Sequence, residues 1–212
     1  MQQARADFEA GRVDEALEVY LRHQYTPGIV EAADHYFRKH NLKKATELYR
    51  VALHAPGLRR VLDRQVAGGS FGDVRKTLDL LFEGGVPPAE FSAVGRRFLE
   101  AGNPQGAEKA FAAANDPEGP RALAGFFLEK GDHSNALRHY RTLGDTAKIR
   151  EIAGHYLSRD DLARAEKLFR ETGDADGLAR VADRRVELAA REAPDPEETP
   201  NLMEGTDQGT GA

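Results

Sequence analysis

The chain has 212 residues, 40% hydrophobic and 31% charged, with a net charge of −5 and no cysteine. That excludes disulfides, thiolate metal sites and thiol catalysis, and no apolar run approaches the ~20 residues that span a bilayer. The acidic excess sits from residue 193 onward, where Asp195, Glu197, Glu198, Glu204 and Asp207 stand without any Lys or Arg. The remaining 30 acids balance the 30 bases, so the body has no bulk electrostatic pull on nucleic acid or an anionic membrane. Met1-Gln2-Gln3-Ala4-Arg5 lacks the apolar core of a signal peptide. A cytoplasmic chain without membrane insertion is expected.

In chain order, the apolar spacing predicts pairs of antiparallel helices over 1–27, 28–57, 58–87, 88–116, 117–145 and 146–173. A terminal helix over 175–191 and an acidic, disordered tail over 193–212 follow. In the fifth pair the first helix runs over 118–129, turns at Gly131-Asp132 and returns through Ala136 and Tyr140 to Leu143. Leu123, Phe126 and Phe127 recur at three- and four-residue spacing and so share one face. Met1 falls inside the first helix with no N-cap, and Phe8, Val13 and Leu17 do not make the polar face that caps a stack of repeats. Either a frayed start or a preceding segment is expected on that ground.

One pattern recurs: Ala33-Tyr36-Ala45-Tyr49, Gly95-Phe98-Ala107-Phe111, Ala124-Phe127-Ala136-Tyr140 and Ala153-Tyr156-Ala165-Phe169. Its alanines return every 29 residues, at Ala16 and Ala45 and again at Ala107, Ala136 and Ala165. Small residues let the two helices approach, and the aromatics fill the space beside them. Asn115-Asp116, Gly144-Asp145 and Gly173-Asp174 share the period, the first residue suited to a left-handed helix end and the Asp to capping the next helix. Gly11, Gly72, Gly102 and Gly131 are assigned to the turns inside pairs.

Ile29, Ala32-Ala33, Tyr36, Ala45, Tyr49 and Ala52, and more fully Phe91, Val94-Gly95, Phe98, Gly102, Ala107, Phe111 and Ala114, resemble the signature of the tetratricopeptide repeat family. The resemblance covers about 4–169, with second helices centred on Ala16, Ala45, Thr77, Ala107, Ala136 and Ala165. It implies an all-α, right-handed α–α superhelix of about six helix pairs plus a capping helix, acting as a non-catalytic scaffold or adaptor for a protein or peptide. The alternative is a structural subunit that packs edge-on into a larger assembly or self-associates. The 29-residue period is shorter than the family's usual ~34, which leaves pitch and groove width open. The third unit departs most. Arg64 and Gln65 replace small or apolar residues, Gly68-Gly69 fall at the aromatic, and two glycines inside a helix loosen it by about 1 kcal/mol each relative to Ala.

Chemistry finds little support. Ala67-Gly68-Gly69-Ser70-Phe71-Gly72 looks like a kinase glycine-rich loop but lacks the lysine strand, catalytic loop and metal-binding Asp that such a loop needs. The histidines do not take metal-ligand spacings, and most of them read as surface or boundary residues. Asp160-Asp161 reads as a turn and cap, and Glu197-Glu198 lies in the tail. No catalytic, cofactor or metal site is expected. In the family resembled, the first helix of each unit lines the binding face, which here implies Arg5, Asp34, Arg38, Arg96, Arg121, Arg150 and Glu151. Arginines there suit bidentate contacts to carboxylates. The family's clamp for C-terminal carboxylates is absent, its slots holding Ser92, Arg96, Ala122, Ala147 and Glu151. The tail, with Asn201-Leu202-Met203-Glu204, reads as a solubilising end, or one that folds back on the arginine-bearing face.

Overall fold

Each helix boundary answers to a turn residue, and the turns repeat. The structure, a computed structural model, describes residues 1–82 and 84–192, and among these every regular element is helical. It falls into two compact units that divide after Leu143. The first holds α1 (Gln2–Glu9), α2 (Val13–Arg22), α3 (Thr26–Arg38), α4 (Leu42–Val51), α5 (Ala55–Gly68), α6 (Phe71–Leu81), α7 (Pro88–Glu100), α8 (Pro104–Ala114), α9 (Gly119–Glu129) and α10 (His133–Leu143). The second holds α11 (Thr146–Ser158), α12 (Leu162–Glu171) and α13 (Ala175–Glu192). The acidic tail predicted over 193–212 lies outside the described residues.

Successive helices pair as hairpins, each turning on one left-handed residue: Gly11, His40, Gly69, Gly102, Gly131 and Asp160. The steps between them are 29, 29, 33, 29 and 29 residues. The next residue caps the returning helix. Asn41, Ser70, Asn103, Asp132 and Asp161 each accept the backbone N–H three positions on, at 2.9–3.3 Å, which satisfies a donor the helix itself leaves open. Between hairpins, Gln24, Leu53, Asn115, Gly144 and Gly173 are left-handed. Asp145 and Asp174 then cap as the sequence implies, while Asp116 accepts from Glu118 N, two residues on, as an Asx turn.

These turns correct the reading of the third hairpin. The turn glycine is Gly69, not Gly72, which lies in the first turn of α6. Gly68 and Gly69 end α5 and do not interrupt it, so the argument that they loosen a helix interior falls. Measured from the turn, the residue matching Ala45 is Val74, not Thr77, and the one matching Ala33 is Leu62. The four extra residues lie between α6 and α7, where six residues (82–87) join the helices in place of the two to four elsewhere.

The frame also assigns the core. Small residues seven before and five after each turn are buried: Ala4 with Ala16, Ala33 with Ala45, Gly95 with Ala107, Ala124 with Ala136, Ala153 with Ala165. In the third hairpin Leu62 and Val74 take these places and Leu78 replaces the aromatic, all buried. Volume moves from the ring position to the crossing. Val13 and Leu17 are also buried, and Phe8 packs half-buried against the same core.

Candidate functional site

The first helices carry the candidate binding face, and ion pairs between neighbouring hairpins tie it together. Asp34 of α3 accepts the Tyr49 hydroxyl at 2.6 Å and the Arg60 guanidinium of α5 at 2.7 Å. Asp63 of α5 accepts Arg97 of α7 at 2.6 Å. Arg60 also lies over the Phe37 ring, 4.6 Å from its centroid. Partial burial pushes the Asp34 carboxyl up, but the hydrogen bonds from Tyr49 and Arg60 outweigh it and hold the group below its ordinary value. Tyr49, raised by burial and then by its hydrogen bond to Asp34, stays a phenol that donates.

The seven predicted residues thus have distinct surroundings. Arg5 is exposed and pairs with Glu9 one turn on. Asp34 anchors the link just described. Arg38 is exposed at the end of α3, where its charge helps hold Asp34 ionised. Arg96 approaches Asp116 at 3.8 Å, and Asp116 is held below its ordinary value first by a Ser92 hydrogen bond and then by the Glu118 N–H. Arg121 pairs with Glu118 at 3.5 Å. In the second unit Arg150 donates to the Thr172 carbonyl at 3.0 Å, while Glu151 pairs with Lys148 at 2.6 Å. Arg5, Asp34, Arg38, Arg96 and Arg121 belong to the first unit and Arg150 and Glu151 to the second. Most of these charges are already partnered, so a ligand on this face exchanges partners rather than meeting bare ions. Exposed pairs are worth little, at a median of ~0–1 kcal/mol, so that exchange is cheap.

A cleft of about 480 Å³ between α8 and α10 was not foreseen from sequence. Its walls include Phe111, Pro120 and Leu123, with Glu108, Arg138 and His139 at its polar side. His139 is buried, unlike the surface or boundary placement expected for most of the histidines. Its ring stacks on Phe127 with centroids 5.7 Å apart and planes at 9°. Arg138 lies 3.1 Å from its Nε2, and because guanidinium only donates, Nε2 accepts. Burial first, then the Arg138 charge, lower the His139 pKa, with Glu108 opposing them. The signal existed in the sequence: the matching positions hold Val19, Leu48, Thr77, Ala110 and Leu168, so a histidine there occupies a core place.

The other polar exception is Thr77, which is buried and donates to Gln65 at 2.8 Å. Gln65 stands where other hairpins carry Tyr36, Phe98, Phe127 or Tyr156. Two apparent departures from the pattern are therefore one hydrogen-bonded pair. No helix among the described residues is long and apolar enough to cross a membrane. Comparison with protein-family models, with curated proteins and with solved structures gives no match.

Proposed function

We propose that this chain is a non-catalytic helical-repeat scaffold, tetratricopeptide-like, whose six helix pairs and terminal helix form a right-handed superhelix that binds a protein or peptide partner in the cytoplasm. The reading rests on one observation: turn, cap and crossing residues recur together at 29-residue steps. A unit that buries its apolar face only against its neighbours makes a long surface of first helices. That surface carries Arg38, Arg96 and Arg121, each exposed and each able to take a carboxylate in bidentate fashion.

The test is quantitative affinity capture with the wild-type chain and the Arg38→Glu/Arg96→Glu/Arg121→Glu variant, with crosslinks mapped to individual helices. The scaffold reading expects a stoichiometric partner crosslinked to α3, α7 and α9 and lost in the variant at unchanged thermal stability. Equal capture by both proteins refutes the arginine-bearing face.

A second reading, a subunit packed edge-on into a larger assembly, draws on the apolar rim of the first unit. Leu53 is 85% exposed, and Val51 and Leu80 are exposed near it. With Leu58 and Leu81, Leu53 and Leu80 line a recess of about 760 Å³. Under that reading Leu53→Asp abolishes co-purification and the arginine variant does not.

A further inference from the structure

The inner side of α13 is packed as in α3, α5 and α9. Val181 is buried, the Phe169 ring of α12 closes over Gly177, and Arg180 lies over the same ring, 5.3 Å from its centroid. The opposite side differs. In all six hairpins, the residue seven before the turn is buried beneath the returning helix, and the residue three before it is buried or half-buried. Carried into α13 by the same 29-residue step, these positions are Ala182 and Val186. Ala182 is exposed and Val186 is 70% exposed. Among the described residues, α13 therefore has the surface of a first helix without its second.

The sequence that follows α13 does not repeat the pattern of a second helix. In complete hairpins it occupies the second to eleventh residues after the turn, as Leu42–Val51 does after His40. The corresponding span is 191–200, which contains Pro194, Pro196 and Pro200, and proline in a helix interior costs about 3 kcal/mol or more. What fits this surface is written five times elsewhere in the chain, as an alanine followed four residues later by an aromatic: Ala16-Tyr20, Ala45-Tyr49, Ala107-Phe111, Ala136-Tyr140 and Ala165-Phe169.

We propose that the outer face of α13 docks an amphipathic helix of a partner protein, bearing a small residue and an aromatic four positions on, which completes the hairpin in trans. Arg185 stands on this face where complete hairpins place a ring, Gln65 or, in the first, Asp7, and it is held at one edge by Glu166 at 2.9 Å. A carboxylate near the aromatic of the docked helix gives the Arg185 guanidinium a second acceptor beside Glu166 as water is excluded. This is helix-in-groove recognition. It rests on the repeat reading but uses a different surface from the arginine-bearing face.

The probe is a fluorescein-labelled peptide of residues 160–173, the chain's own α12 with its turn and cap, titrated into the full chain by fluorescence anisotropy. Saturable binding is expected, with slowed amide exchange confined to α13. Val186→Asp and Ala182→Arg in the chain, and Ala165→Arg in the peptide, each weaken it by about tenfold or more, since a charge then enters the contact. Both chain sites are exposed, so thermal melts of the two variants are expected to overlay the wild type. Absence of saturable binding overturns the proposal. So does binding indifferent to both chain substitutions, which would mean the peptide has displaced α12. A dimer of the unliganded chain that Val186→Asp dissociates also overturns it, by making a second copy the occupant. Loss of partner capture by the arginine variant with peptide binding intact, or the reverse, separates the two surfaces.

Discussion

The ring of Tyr20 lies against Gly28, so closely that a β-carbon on the glycine would meet ring atoms Cγ and Cδ2 at 2.6 Å. The relationship repeats eight residues apart along the chain: Tyr49 with Gly57, Phe111 with Gly119, Phe169 with Gly177. Where Leu78 replaces the aromatic, Glu90 stands at the glycine's place in the frame. Tyr140 is the exception, with Lys148 eight residues on; at the other four rings the next hairpin presents a bare backbone. Gly57→Ala is expected to destabilise by about 1–3 kcal/mol, because overpacking against a buried ring outweighs the gain in helix propensity. Gly125→Ala and Gly154→Ala, in helices with open space beside them, are expected to stabilise by about 0.5–1 kcal/mol. Urea denaturation of the three variants checks both signs.

Asp34 links acid stability to the tie between α3 and α5. Its carboxyl is depressed in the folded protein, so its contribution is complete above the unfolded value near 3.9 and is lost as pH falls through the lower folded value. Asp34→Asn is expected to flatten the rise of stability with pH on the acid limb, and Arg60→Ala to move the Asp34 titration upward. Carboxyl chemical shifts followed by NMR from pH 2 to 6 report both.

His139 acts in the opposite pH range. Its folded value is lowered by burial and by Arg138, so the unfolded chain binds the proton more readily and stability falls as pH drops below about 6.5. His139→Leu restores the residue that Leu48 and Leu168 supply in α4 and α12. The variant is expected to lose this pH slope while keeping stability at pH 8. Thermal melts at pH 5.5 and 8 decide it, and an unchanged slope in the variant assigns the effect to another group.

Thr77 and Gln65 form a testable pair. In a double-mutant cycle of Thr77→Val and Gln65→Ala, a coupling of about 1 kcal/mol is expected from their hydrogen bond. A coupling near zero makes the two substitutions in the third hairpin independent.

Leu53 has a positive φ of 50° and is almost wholly exposed, two costs at one residue. The left-handed conformation costs a non-glycine residue about 1–2 kcal/mol, and Asn adopts it more readily. Leu53→Asn is expected to raise the melting temperature of the chain. A fall instead makes Leu53 a packing residue of the rim.

Composition and spacing determined that the chain is all-helical, where most helices start and stop, and which alanines and aromatics are buried, because a period of 3.6 residues and cap chemistry are local and act within a few residues. Ala33, Ala45 and Asp161 are legible on that basis. Only the tertiary structure decided the register of the third hairpin, since Leu62 and Val74 satisfy the core by exchanging volume with Leu78 and match no simple motif. Partnerships between helices were equally hidden. Asp34 with Arg60, Thr77 with Gln65 and His139 on Phe127 join residues 12 to 26 positions apart, and whether a polar side chain is buried and satisfied depends on which helices meet there. The bare face of α13 is the extreme case: Ala182 and Val186 read as core in sequence, and they are exposed because no returning helix among the described residues covers them.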